Sequence, residues 1–329
     1  MLAHTPVSAC HRGDMVAPIT ADRLLFAKHT LTQTERTSLH RRSQSGDLVI
    51  VSRGVYIDAS TWAKMDRHGR YRIVIQAVLE RLGPDTVVSH ASAAAMWRLP
   101  WVSAWPAKVH VLAEPSTGGR SDASVSRHCV GLTDAFDTVD GIRVTPLART
   151  VADVARTADF GTAVTVADAA LRRKGRPVDG VPNPDLSRAM LVEQLEGVPI
   201  HQGVVKAARA LDFADGRADR PGESMSRVSM HRAKLQAPEP QVWMRGASGK
   251  EWQVDFWWPQ FNVIGEFDGK WKYTDPQFMR GRSADQVLLD EKAREDDLRA
   301  ARHGFVRWDW PVAVSPTALR SRLVAAGVR

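Results

Sequence analysis

The sequence predicts a multidomain α/β protein in three parts. Three observations predict it. Helical patterns followed by a tight hairpin open the chain, helical and strand-like runs alternate through its middle, and closely spaced apolar strands precede a charged helix near its end. The length of 329 residues suits two or three domains. With 43% hydrophobic and 25% charged residues, the composition excludes a collagen-like, fibrous or wholly disordered chain.

Residues 1–18 (MLAHTPVSACHRGDMVAP) carry no periodic pattern and are expected to be disordered. From Ile19 to about Met65 the pattern is helical, then paired. Thr20-Ala-Asp is expected to open a helix carrying Leu24, Leu25 and Phe26. LTQTERTSLHRR follows, with Thr32 or Thr34 as N-cap, and should run to about Ser45. LVIVSRGVYI reads as a β-hairpin turning near Ser52-Arg53-Gly54. Helices followed by a short hairpin outline a winged helix-turn-helix over residues 19–65. Its second helix would read a DNA groove with Gln33, Arg36, His40, Arg41 and Arg42, and Arg53 would lie on the wing. Between Thr20 and Arg72 there are ten Lys or Arg against five Asp or Glu, so most of the chain's net charge of +8 lies there. That footprint suits phosphate contact and double-stranded DNA as the partner.

Residues 66–213 read as a central α/β domain. YRIVIQAVLERLG is an amphipathic helix, and TVVSHASAAAMWRL a short strand entering an Ala-rich helix. KVHVLAE and ASVSRHCVG are strands. VDGIRVT is a hairpin with Asp140-Gly141 at its turn. PLARTVADVART and FGTAVTVADAALRRKG are helices, the first opened by Pro146. His90 invites a catalytic role, but its place at a strand-to-helix junction favours capping or packing. ADGRADRPG, residues 214–222, is rich in turn formers and reads as a linker.

Residues 223–329 carry the chemistry. Glu223 falls in the first turn of a helix with Met225, Val228 and Leu235 as its apolar positions. QVWMRG, EWQVDFWWP and FNVIGEFDGKWKY are expected to form an antiparallel meander. The strand period of two puts Glu266, Asp268 and Lys270 on one face, with Ile264 and Lys272 of the same parity. If Asp255 shares that face with Glu266, two carboxylates converge at a cost that a divalent cation relieves. Magnesium is satisfied by one or two carboxylates, water and phosphate oxygens, and manganese is the alternative ion. A nearby lysine can stabilise developing phosphate charge. The helix Asp290–His303 holds Lys292 and Arg294, which either pair within the helix or reach the site or a DNA phosphate.

On these residues, positions 223–310 resemble the PD-(D/E)XK nuclease superfamily, in the branch of the very-short-patch-repair endonuclease. The matching pieces are Glu223, VDFWWP with Asp255, VIGEFDG with Glu266 and Asp268, and EKAREDDLRAARHGFVRWDW. The resemblance implies a restriction-endonuclease-like α/β/α domain with Asp255 and Glu266 holding a metal and Glu223 in support. One departure stands out: Asp268 occupies the nominal lysine position, so either the lysine role passes to Lys270, Lys272 or Lys292 or the site is weakened. The front half, through SHASAAAMW, KVHVLAE and GIRVTPLARTVADVAR, resembles the AbiE-type antitoxins of type IV toxin–antitoxin systems. That implies DNA binding, autoregulation and a cognate toxin or phage-defence partner.

Two cysteines, Cys10 and Cys129, cannot build a disulfide framework, and no run approaches a membrane span, so a cytoplasmic protein is expected. There is no phosphate loop, HExxH pair, nucleophile elbow or dinucleotide fingerprint. The expected function is a DNA-binding, metal-dependent endonuclease hydrolysing phosphodiester bonds. The competing expectation is a non-catalytic, antitoxin-like transcriptional regulator.

Overall fold

The computed structural model describes residues 24–29, 32–114, 121–129, 135–173, 181, 184–197, 202–269 and 284–329. Residues 1–18, Lys270 and Lys272 lie outside the described residues. The chain is mixed α/β, built of helices around several small sheets.

The front unit holds β1 (Leu24–Phe26), α1 (Gln33–Gln44), the hairpin β2 (Leu48–Ser52) and β3 (Val55–Asp58), and the short α2 (Ala59–Lys64). Thr32 caps α1 in a full capping box. Its hydroxyl accepts from the Glu35 amide while the Glu35 carboxylate accepts from the Thr32 amide. Gly46, at φ 84°, turns the chain out of α1 into β2. The expected helix through Leu24–Phe26 is instead a strand. These three residues pair antiparallel with Val55–Ile57, giving a sheet of order β1-β3-β2. Burying Leu24 against Val55, Ile57 and Ile73 favours the extended form over a helical turn.

α3 (Arg67–Leu82) follows and has two apolar faces. Ile73 and Ala77 pack on the front sheet, whereas Tyr71, Ile75 and Val78 join the central core. The central part continues with α4 (His90–Met96), the parallel pair β4 (Val109–Leu112) and β5 (Val125–His128), and the hairpin β6 (Asp137–Val139) and β7 (Ile142–Val144). Val88 bridges both Val111 and Val144 and so ties the two pairs together. α5 (Leu147–Thr157), α6 (Phe160–Arg173), α7 (Arg188–Glu196) and α8 (Val204–Phe213) pack over this core. The stretch 214–222, expected to be a linker, is a packed connection: Ala214 and Ala218 are buried, and the Asp215 amide donates to Asp168 at 2.6 Å.

α9 (Pro221–Arg232) opens the last part. It is followed by β8 (Glu239–Arg245), β9 (Glu251–Trp258), β10 (Val263–Phe267), α10 (Ala284–Ala300), β11 (Gly304–Trp308), α11 (Trp310–Ala313) and α12 (Pro316–Ala325). β8, β9 and β10 form the expected antiparallel meander, and β11 adds parallel to β10, giving the order β11-β10-β9-β8. Phe256, Trp258 and Trp308 pack with Met230, Leu319 and Leu323 in one cluster, whereas Val254 and Ile264 pack on Leu298 of α10 in another. Gly265 is required by this packing. A Cβ there would stand 2.7 Å from the Trp308 ring and 2.8 Å from that of Trp258. α10 begins before the expected Asp290 and ends at Ala300, with Arg302 at φ 68° reversing the chain into β11. Among the described residues no helix is long and apolar enough to cross a membrane.

Candidate functional site

Two of the acidic residues singled out by the sequence, Asp255 and Glu223, meet where β9 and β10 separate. Their ladder runs through Val263↔Trp258, Ile264↔Trp257 and Gly265↔Phe256. One step further the Asp255 carboxylate takes the place of a main-chain partner. Its Oδ2 accepts the Phe267 amide hydrogen at 2.9 Å. Asp255 thus holds the peptide that directly follows Glu266.

Glu223 reaches this fork from α9. Gly222 allows the approach, since a Cβ there would fall 2.1 Å from the Phe267 ring. Glu223 is buried, and its Oε2 accepts from the Asp219 amide at 2.8 Å and from Gln241 Nε2 at 2.8 Å. The same Gln241 nitrogen lies 3.2 Å from Asp255 Oδ1, so one amide links the two acids. Gln241 sits at φ 56° inside β8, where the regular pairing of β8 with β9 skips one step. Burial pushes the Glu223 carboxyl well above the usual carboxylate range, and the Asp255 charge beside it pushes the same way.

Glu266 is 3% exposed and is met by cations from the protein itself. Arg294 of α10 donates to its Oε2 and also donates to the Gln253 carbonyl at 2.9 Å. Arg307 Nη2 lies 3.6 Å from the same carboxylate oxygen, and Arg307 also meets Glu291 and Glu295 of α10. Of the two readings of α10, Arg294 therefore follows the one that reaches the site. The pair Glu295–Arg299 remains an ordinary helix salt bridge at 2.8 Å. Lys292 is exposed. Asp268 lies just past β10, with its amide donating to the Trp308 carbonyl at 2.8 Å and its Oδ1 buried without a hydrogen-bond partner among the described residues. Among the described residues no group of three or more His, Cys, Asp or Glu side chains is placed to hold a metal ion.

In the front unit, Gln33, Arg36, His40 and Arg41 are exposed along α1, and Arg53 is exposed at the hairpin turn. Arg42 is half-buried. Leu39 turns the opposite face of α1 toward Leu48 and Tyr56.

The residues that the sequence did not single out are Gln241, Arg307 and the central histidines His110 and His128. Gln241 carries no charge and its positive φ has no sequence signature. Arg307 belongs to an apolar strand and gains its role only from pairing opposite Glu266. His90, expected to cap or pack, packs: it is buried, and its ring stacks on His128 with centroids 3.6 Å apart.

No family model matches the chain. Two proteins of Mycobacterium tuberculosis, from strains CDC 1551 / Oshkosh and ATCC 25618 / H37Rv and both described as uncharacterized, are each 30% identical to it over 176 residues. The match takes in 50% of this chain and 61% of each of theirs. The chain therefore has relatives in that organism, and it spans less than two thirds of their length.

Proposed function

We propose that this chain is a DNA-binding protein whose C-terminal part is a metal-dependent endonuclease of the restriction-endonuclease-like kind. The observation that carries the reading is the bond network that joins Glu223 to Asp255 through Gln241, and Asp255 to the peptide that follows Glu266. The layering supports it: one mixed sheet of order β11-β10-β9-β8 lies between α10 and the α9, α11 and α12 group. In the front unit the order β1-β3-β2 beside an exposed basic helix supports a winged helix-turn-helix that contacts phosphates of double-stranded DNA.

The donor set suits magnesium or manganese in one respect. Asp255 and Glu223 crowd negative charge that a hard cation would relieve, and two carboxylates with water suffice for such an ion. Asp255 and Glu266 would hold it, and Glu223 would support it from α9. When bound, such an ion lowers the pKa of its water and offsets charge on the scissile phosphate. Gln241 orients the Asp255 and Glu223 carboxyls by its single amide. Arg294 presents a planar guanidinium that can transfer from Glu266 to a phosphate oxygen.

A plasmid-nicking assay with magnesium or manganese tests the reading. Wild-type protein should nick the plasmid, and Asp255→Ala should abolish nicking while leaving filter binding largely intact. Failure of the wild type to cut any DNA form sinks the enzyme.

One observation favours a second reading, a non-catalytic regulator of the antitoxin-like kind acting with a toxin or defence partner. Arg294 and Arg307 already supply the positive charge at Glu266, and Asp268 stands where a lysine is expected. Under this reading the protein binds DNA in the nicking assay but never cuts it.

A further inference from the structure

The central part contains a second cluster of ionisable side chains, which neither reading above uses. It draws on four elements. His90 begins α4, His110 lies in β4, His128 ends β5, and Arg149, Asp153 and Arg156 lie along α5. His110 Nδ1 and His128 Nε2 are 2.9 Å apart, so one ring nitrogen donates to the other. His128 stacks on His90, whose Nδ1 lies 3.0 Å from Ser89 Oγ and 3.9 Å from Asp153 Oδ2. Asp153 is fully buried, and Arg149 Nε stands 3.0 Å from both of its oxygens. Arg149 is itself 4% exposed. Its Nη2, on the same planar guanidinium, is buried and has no hydrogen-bond partner among the described residues.

A buried donor without an acceptor is costly, and it marks a place where an acceptor belongs. Arg149 and Arg156 both face the Asp153 carboxylate, and Arg156 also donates to the Gln202 carbonyl at 3.0 Å. His90 begins α4 at φ 50°, a left-handed backbone uncommon for residues other than glycine. His110 and His128 are half-buried, so the cluster reaches the surface at their edge. With one ring hydrogen shared between His110 and His128, the remaining imidazole N–H groups and the Arg149 guanidinium are the donors, a set that suits an anion with several oxygens better than a planar carboxylate.

We propose that His90, His110, His128 and Arg149 form a binding site for a phosphate-type oxyanion, either free or as the end of a phosphate monoester. Arg149 Nη2 donates to one oxygen and the histidine ring nitrogens to others. Asp153 fixes the guanidinium from behind.

Inorganic phosphate titrated into the full-length protein tests this, with the histidine ring signals followed by NMR and the affinity by calorimetry. Saturable shifts of the His90, His110 and His128 signals are expected. Arg149→Met should weaken phosphate about tenfold, the loss of one charge-assisted hydrogen bond. That variant also leaves Asp153 without its guanidinium, so His128→Gln at the half-buried edge is the companion. It should stay folded by circular dichroism and bind phosphate several-fold more weakly. Parallel titrations with adenosine monophosphate and O-phosphoserine separate the sources: tighter binding of either than of phosphate identifies the monoester. Histidine signals that do not move in folded wild type overturn the proposal. So does a phosphate affinity that His128→Gln leaves unchanged, or a shift that sodium chloride at equal ionic strength reproduces.

Discussion

Arg294, on the long helix α10, closes its guanidinium over the buried carboxylate of Glu266. The contact joins that helix to β10 at the strand fork, and it sets a competition. Whatever cation Glu266 accepts from solution must share it with, or displace, Arg294. Substituting Arg294→Gln removes one partner of a largely buried ion pair, which costs about 3 kcal/mol or more. The thermal midpoint should fall accordingly. Manganese should then restore part of the loss, because an ion that binds the folded state alone stabilises it by mass action. A midpoint that manganese leaves unmoved would mean that Glu266 is closed to added cations.

Asp168 of α6 and Arg227 of α9 lie 3.0 Å apart, with Asp168 1% exposed. Asp168 also accepts from the Asp215 amide. Asp168→Ala strands a buried guanidinium and a main-chain donor, and should cost about 3 to 5 kcal/mol in urea unfolding. Asp168→Asn keeps the acceptor for Asp215 and should cost less. Burial raises the Asp168 carboxyl to about 6 from 3.8. A raised folded value means that this group favours the folded state below pH 3.8. Its contribution then declines as pH rises through about 6. The Asn variant should lack that decline.

The exposed face of α1 should dominate the salt dependence of DNA binding. Each phosphate contact removed lowers the slope of log affinity against log salt by about 0.9 on duplex DNA. Arg36→Ala and Arg41→Ala should each do so, measured by fluorescence anisotropy across a salt series. Binding whose slope is the same in both variants as in the wild type would move the DNA surface elsewhere.

The central histidines should make the protein sensitive to mild acid. Burial pushes His90 and His128 down to about 3 from 6.5, and the neighbouring imidazoles push the same way. His110 is also lowered by burial. Folded rings stay neutral while unfolded ones take up protons, so stability is full above about pH 6.5 and falls toward pH 3. From about pH 7 to about pH 5 buried His90 should remove about 2 kcal/mol, and half-buried His128 less. Urea unfolding at the two pH values measures this. The fall should shrink in His128→Gln.

Much of the architecture was legible wherever local signals and tertiary demands agreed. The Thr32 cap, the hairpin at Ser52-Arg53-Gly54, the turn at Asp140-Gly141 and the three-strand meander all appear in the structure. Leu24–Phe26 misled because a helical start signal precedes it, while the decisive partner, β3, lies roughly thirty residues downstream. Among the acids, Asp255 and Glu223 are joined through Gln241, a residue with nothing in its chemistry to draw notice. The histidine cluster was illegible for a different reason. His90, His110 and His128 stand on three elements that meet only when β4 pairs with β5 and α4 folds back on them. No spacing along the chain encodes that meeting.

α3 has a consequence for how the protein can be divided. Ile73 and Ala77 complete the lining beneath the front sheet, and Tyr71 and Ile75 belong to the neighbouring core. A fragment cut before Arg67 would leave Leu24 and Ile57 facing water, and one cut after Leu82 would carry an oily flank of its own. The front unit has no clean seam at its C-terminal border, so its sheet is mechanically tied to the centre of the molecule through α3.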